Sequence, residues 1–202
     1  MCGIFGYTGE AGGLDIVFDG LKKLEYRGYD SAGIVASDQG GKLSIVKAKG
    51  KLQNLKPLLN QLPQNTSVAL GHTRWATHGK PSTLNAHPHL HGGVALVHNG
   101  IIDNYQDLKI ELLQKGHTFI SETDTEVVLH LFCELFSETK DVKEALQRLR
   151  MKCRGSYAVG FVLEQQTGVI YLLKEGSPLV VGSKKEASFF ASDVGALAQH
   201  TD

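Results

Sequence analysis

The chain reads as a mixed α+β protein built from two sheets and layers of helices. Strand-like runs occupy both ends of the sequence, over residues 3–73 and again over 157–192. Most of the helical periodicity falls between them, over residues 105–152. Strand and helix do not alternate regularly, which argues against a parallel sheet wound by crossover helices.

The elements follow in order. Residues 3–8 form a short apolar strand. A helix is predicted over 14–26, because Leu14, Val17, Phe18, Leu21 and Leu24 recur at helical spacing. Residues 32–37 and 43–48 read as strands joined by the turn at 38–41. A short helix is expected over 52–62, then strands at 67–73 and 94–98 with a long irregular segment between them. Helices follow at 105–115, 124–136 and 142–152, and Thr123 or Asp124 suits the cap of the second, with Glu126 in its first turn. The tail reads as strands at 157–164, 169–174, 179–183 and 188–192, then the start of a helix at 194–199.

Composition narrows the function. Apolar residues make up 42% of the 202, an ordinary globular share that disfavours disorder. Lys+Arg and Asp+Glu balance at 21 each, and no basic run gives the footprint of a nucleic-acid binder. No apolar run approaches the ~18 residues of a membrane span. The N-terminus lacks the basic region of a secretory signal, so a cytoplasmic protein is expected. Cys2, Cys133 and Cys153 form no CxxC pair, and their odd number argues against a disulfide framework.

Four segments could carry chemistry. Cys2 directly follows the initiator Met1. Once Met1 is removed, thiol and α-amine share one residue. Their reference pKa values of ~8.5 and ~7.7–8.0 let the amine take the thiol proton near neutral pH. The alternative is a small packed cysteine. Val97 and His98 lead a strand into Asn99-Gly100, where a side-chain amide and an unhindered backbone N–H could hold an oxyanion. The same dipeptide also suits a tight turn. Residues 72–79 (HTRWATHG) include Arg74, which could grip a carboxylate in a fork, or the segment could be a solvated loop with Trp75 packed inward. Asp124 could pair with an ammonium or cap its helix. Six of the nine histidines lie between His72 and His98. A metal site at residues 87–91 (HPHLH) is disfavoured, because Pro88 spoils the strand and no cysteine is close in sequence. Gly79-Lys80 is not a phosphate loop, since Pro81 stands where Ser or Thr is required.

Together these segments resemble one family closely. The blocks are 2–6 (CGIFG), 24–33 (LEYRGYDSAG), 72–79, 85–89 (NAHPH), 97–102 (VHNGII) and 121–126 (SETDTE), extended by 155–158 (GSYA) and 176–179 (GSPL). The chain resembles the glutaminase domain, a class II glutamine amidotransferase, of the glucosamine-6-phosphate synthases (glutamine–fructose-6-phosphate aminotransferases, isomerizing). The resemblance implies the N-terminal-nucleophile hydrolase fold, a four-layer α/β/β/α sandwich. It also implies hydrolysis of L-glutamine to glutamate and ammonia. Cys2 would be the nucleophile, with Asn99 and Gly100 as the oxyanion hole. Arg74 and Asp124 would hold the substrate carboxylate and ammonium. Trp75, Thr77 and His78 would belong to a closing loop with His87 close by, and Arg27 would position the N-terminus. No metal, flavin or nucleotide cofactor is implied. Ammonia would pass to fructose-6-phosphate on a C-terminal sugar-isomerase region that these residues do not resemble, in a homo-oligomeric enzyme. Residues 1–202 would then be one domain of a longer protein, stopping before the last strand of the fold. Another class II amidotransferase and an inactive glutamine-binding module are the alternative readings.

Overall fold

A computed structural model describes residues 2–164 and 166–201. Chain order gives β1 (Gly3–Thr8), α1 (Gly13–Leu24), β2 (Ser31–Ser37), β3 (Leu43–Lys49), β4 (Val68–Arg74), β5 (His89–His91), β6 (Val94–Ile102), α2 (Tyr105–Gln114), α3 (Asp124–Thr139), α4 (Val142–Lys152), β7 (Gly155–Leu163), β8 (Tyr171–Glu175), β9 (Val180–Lys184), β10 (Ala187–Ala191) and α5 (Val194–Leu197). One sheet has the order β3-β2-β4-β1-β10-β9 and the other β5-β6-β7-β8. Every strand pairing in both ladders is antiparallel.

Three apolar layers hold these elements together. Leu14, Val17, Phe18 and Leu21 of α1 pack on Phe5, Ile34 and Ala69, covering the outer face of the six-stranded sheet. Ile4, Val35, Leu70, Ala95, Val97, Val162 and Phe190 meet between the two sheets. Leu96, Val159 and Phe161 face outward beneath α2, α3 and α4, against Val128, Phe132 and Leu149. Successive strand residues point to opposite faces, so a strand covered on both sides must be apolar at every position. Residues 94–97 (VALV) meet that demand: Val94 and Leu96 face the helices, and Ala95 and Val97 face the other sheet. Burying one such side chain contributes about 1.5–3 kcal/mol. The resulting α/β/β/α stack is the four-layer sandwich that the resemblance implies.

Local chemistry sets several boundaries. α1 ends at Leu24, and a 3₁₀ turn over Glu25–Arg27 completes the predicted 14–26 helix. The predicted 52–62 helix is two 3₁₀ segments, Leu52–Asn54 and Lys56–Gln61. Pro57, which has no N–H to donate, opens the second of these and belongs at such a start. Thr123 caps α3, its hydroxyl accepting from the Glu126 N–H at 3.3 Å. Asp141 caps α4 through the Glu144 N–H at 2.9 Å. The segment read as irregular contains β5, which pairs with β6 immediately after Pro88.

The strand predicted over 94–98 runs on to Ile102, carrying Asn99 and Gly100 inside the ladder opposite Ala158 and Tyr157. The dipeptide is therefore not a hairpin turn. Gly100 has φ +114°, and a Cβ there would lie 2.0 Å from the Ser156 carbonyl oxygen. Only glycine can hold this bend without moving β7. Gly33 of β2 has a related role, since a Cβ would meet the His87 carbonyl at 2.3 Å and push the 85–89 segment off the sheet.

Candidate active site

The site forms where four element ends converge. β1 and β4 are antiparallel, with Gly3 opposite Thr73. The residue before β1 thus meets the residue after β4: Cys2 Sγ accepts from the Trp75 N–H at 3.2 Å. The end of β6 and the start of α3 complete a narrow cavity lined by Cys2, Arg74, Trp75, Thr77, His78, His87, His98, Gly100, Thr123, Asp124 and Thr125. A wider groove lies on the other side of Cys2, bounded by Arg27, Asn99, Ile101, Ser177 and Pro178. The structure brings together all ten residues singled out in the sequence.

Cys2 is anchored through its carbonyl, which accepts from Arg27 Nε at 3.2 Å and Asn99 Nδ2 at 3.0 Å. Arg27 is held in turn by Asp193, with Nη1 to Oδ2 at 2.9 Å. Burial raises the Cys2 thiol pKa, and the Trp75 N–H works against that rise. Cys133 and Cys153 are pushed up to about 12 by burial. Neither of those two lines the cavity.

Asn99 is oriented by a buried histidine that sequence reasoning left without a role. His72 Nε2 lies 2.9 Å from the His98 carbonyl and 3.0 Å from Asn99 Oδ1. Both are acceptors, so Nε2 carries the proton. Burial lowers the His72 pKa to about 3, which keeps the ring neutral. With Oδ1 fixed inward, Nδ2 of Asn99 faces Cys2. Burial also lowers the pKa of His87 and His98, so the cavity wall carries neutral imidazoles.

Charged groups line the same cavity. Arg74 is buried, and its Nη2 donates to the His78 carbonyl and, at 3.0 Å, to the Gly79 carbonyl. Its Nη1 is buried without a hydrogen bond among the described residues, 3.9 Å from Asp30 Oδ1. Asp30 also accepts from the Ala76 N–H and fixes the strand exit. Asp124 Oδ2 accepts from the Ile102 N–H at 3.0 Å, and its Oδ1 lies 3.8 Å from His98 Nδ1. Because Thr123 does the capping, the Asp124 carboxylate is left to face the cavity. Asn85 holds the loop over the site, donating to the Lys80 carbonyl at 2.9 Å and to Glu122 Oε2 at 2.8 Å. Trp75 and Tyr29 stand exposed at the rim in an edge-to-face pair with centroids 5.4 Å apart. His72, His98, Asp30 and Thr123 complete the site. The first two were legible only as polar residues at the ends of otherwise apolar strands.

A four-layer sandwich with two antiparallel sheets between helical layers is the fold of the N-terminal-nucleophile hydrolases. The chain belongs to the glutamine amidotransferase domain family, whose profile matches residues 39–202. Over its whole length it is 47% identical to 34% of a glutamine–fructose-6-phosphate aminotransferase (isomerizing) of Helicobacter pylori, and 48% identical to 33% of the enzyme of that name from Streptomyces coelicolor. It spans about a third of the length of the curated relatives it matches. Among solved structures, the glutamine phosphoribosylpyrophosphate amidotransferase of Bacillus subtilis superposes with a TM-score of 0.82 at 30% identity, over 97% of this chain and 43% of that one. A glutamine aminotransferase class-II domain protein of Silicibacter pomeroyi shares the fold, with a TM-score of 0.60 at 14% identity over 95% of this chain and 88% of its own. Among the described residues no helix is long and apolar enough to cross a membrane.

Proposed function

We propose that this chain hydrolyses L-glutamine to glutamate and ammonia as the glutaminase domain of a longer glutamine–fructose-6-phosphate aminotransferase. One observation carries the reading. A single narrow cavity is lined by a thiol, a buried guanidinium and a carboxylate together. The guanidinium suits an α-carboxylate, the Asp124 carboxylate suits an α-ammonium, and the thiol suits attack on a side-chain amide.

The Cys2 thiolate forms a bond to the glutamine amide carbon, and the carbonyl electrons move onto oxygen. Asn99 Nδ2 and the Gly100 N–H stabilise that oxyanion, each donor contributing about 3–4 kcal/mol. The C–N bond breaks, and the α-amine of Cys2 delivers to the leaving nitrogen the proton it took from the thiol. Water then cleaves the thioester, releasing glutamate. Arg27 holds the Cys2 carbonyl so that sulfur and amine keep their register. Trp75, Thr77 and His78 close over the substrate beside His87. The scheme requires removal of Met1, which lies outside the described residues. No cofactor takes part in these steps. The relatives' greater length supports passage of ammonia to a second domain; fructose-6-phosphate as its acceptor and a homo-oligomeric assembly belong to the same proposal. The unpaired thiols support a cytoplasmic setting.

Intact mass and ammonia release test this. Processed protein should weigh one methionine less, release ammonia from glutamine, and lose that activity in Cys2→Ala. A glutamine-like electrophile should label Cys2 and spare Cys133 and Cys153. Processed protein that releases no ammonia would refute the reading in favour of an inactive glutamine-binding module.

A further inference from the structure

A second cluster of titratable side chains lies away from the glutamine cavity, on the helical side of the four-stranded sheet. His91 ends β5, His117 lies between α2 and α3, and His130 sits in α3. His130 is six residues beyond Asp124, about 9 Å along the helix at 1.5 Å per residue. One ring nitrogen from each of the three lies within 4.8 Å of the others. Their exposure is graded, with His91 exposed, His117 half-buried and His130 buried.

Two carboxylates flank the cluster on its outer side. His117 Nε2 lies 3.4 Å from Glu134 Oε2, and His130 Nε2 lies 3.9 Å from Glu126 Oε1. The Nδ1 atom of each ring faces the other ring. Those Nδ1 atoms lie 2.9 Å apart. At that separation one ring shares its proton with the other, and a bound cation would take the place of that proton between two lone pairs. Carboxylates that orient imidazoles through their outer nitrogens are the usual surroundings of metal-bound histidines.

We propose that His91, His117 and His130 bind a divalent transition-metal ion such as Zn²⁺, Ni²⁺ or Cu²⁺, with water completing the coordination. Metal–nitrogen bonds of about 2.0–2.1 Å place two ligand atoms about 2.9 Å apart at a right angle and about 3.3 Å apart at the tetrahedral angle. The His117–His130 pair already has the first spacing and needs only a small opening for the second. His91 now stacks on His130, with centroids 3.8 Å apart and planes 20° apart. Parallel rings cannot both aim at one ion, so His91 must turn, and its exposure leaves it room to do so. Three imidazoles without a thiolate suit borderline metals better than Mg²⁺ or Ca²⁺.

The test is titration of untagged Cys2→Ser protein with ZnCl₂ by calorimetry and with CoCl₂ by absorption, Cys2 being removed as a competing ligand. One ion should bind per chain, with a cobalt spectrum of nitrogen and oxygen ligation. His117→Ala should weaken binding by about a hundredfold or more, and Glu134→Gln by about tenfold, as expected for loss of a ligand and of its outer partner. His117 is not in the glutamine cavity, so ammonia release by otherwise unaltered His117→Ala protein reports that the fold is intact. Absence of binding at any ratio would overturn the proposal. So would unchanged affinity in a His91→Ala, His117→Ala double variant, or a thiolate-to-cobalt charge-transfer band.

Discussion

Asn99→Asp isolates the oxyanion donor. The His72 N–H fixes Oδ1 of Asn99 at 3.0 Å, which leaves Nδ2 as the group facing Cys2. Aspartate can still accept from His72, so the buried imidazole keeps its partners, but aspartate loses the bond to the Cys2 carbonyl, at about 1 kcal/mol or more of stability. It cannot donate, and it sets a negative oxygen where the amide nitrogen stood. Loss of one oxyanion donor costs about 3–4 kcal/mol of transition-state stabilisation, a hundred- to a thousandfold in kcat. The added charge takes the effect to the upper end. Asn99→Ala should show the smaller loss. It also removes the bond to the Cys2 carbonyl, at about 1 kcal/mol of stability, while the His72 N–H keeps the His98 carbonyl at 2.9 Å. The donor acts mainly in the transition state, so KM for glutamine should change far less than kcat. Steady-state ammonia release, with urea unfolding of the same preparations, reads both quantities. A kcat within about threefold of the parent in folded Asn99→Asp would refute the assignment, as would a loss confined to KM.

Three further outcomes follow from the geometry. Gly100→Ala should lower unfolding stability by about 2–6 kcal/mol, since its positive φ and the contact with the Ser156 carbonyl each cost about 1–3 kcal/mol; a urea midpoint equal to the parent's would contradict this. Arg74→Lys keeps the charge but cannot hold the His78 and Gly79 carbonyls while offering a second nitrogen to substrate, so KM should rise about tenfold or more, and an unchanged KM would remove Arg74 from the binding site. Stability should fall in acid. His72 has a folded pKa of about 3, below its ordinary value of 6.5, so its contribution is complete above pH 6.5 and is lost as pH falls towards 3. Each such buried neutral histidine adds a slope of ~1.4 kcal/mol per pH unit, and urea midpoints that stay flat between pH 6.5 and 4.5 would show that these rings are not buried and neutral.

By itself, the sequence determined the layers. Continuous apolar runs at 3–8 and 94–97 and the helical pattern at 124–136 demand burial, on both faces of the strands and one face of the helix, and that demand produces two sheets covered by helices. It also determined the chemical groups, because Cys2, Asn99-Gly100, Arg74 and Asp124 stand in short blocks specific enough to mark a family. It could not choose between alternatives of equal local merit. Asn-Gly suits a turn as well as an oxyanion hole, and β6 became a continuous strand only because β7 pairs with it through Gly100. Thr123 and Asp124 suit a helix cap equally. Thr123 took the role while the Ile102 N–H claimed Asp124, a contact between residues 22 positions apart. His72 gained its role from Asn99, 27 positions away, and the grouping of His91, His117 and His130 exists only where β5 docks beside α3. Propensity and periodicity act within a few residues, whereas hydrogen-bond partners and burial are settled when distant segments pack.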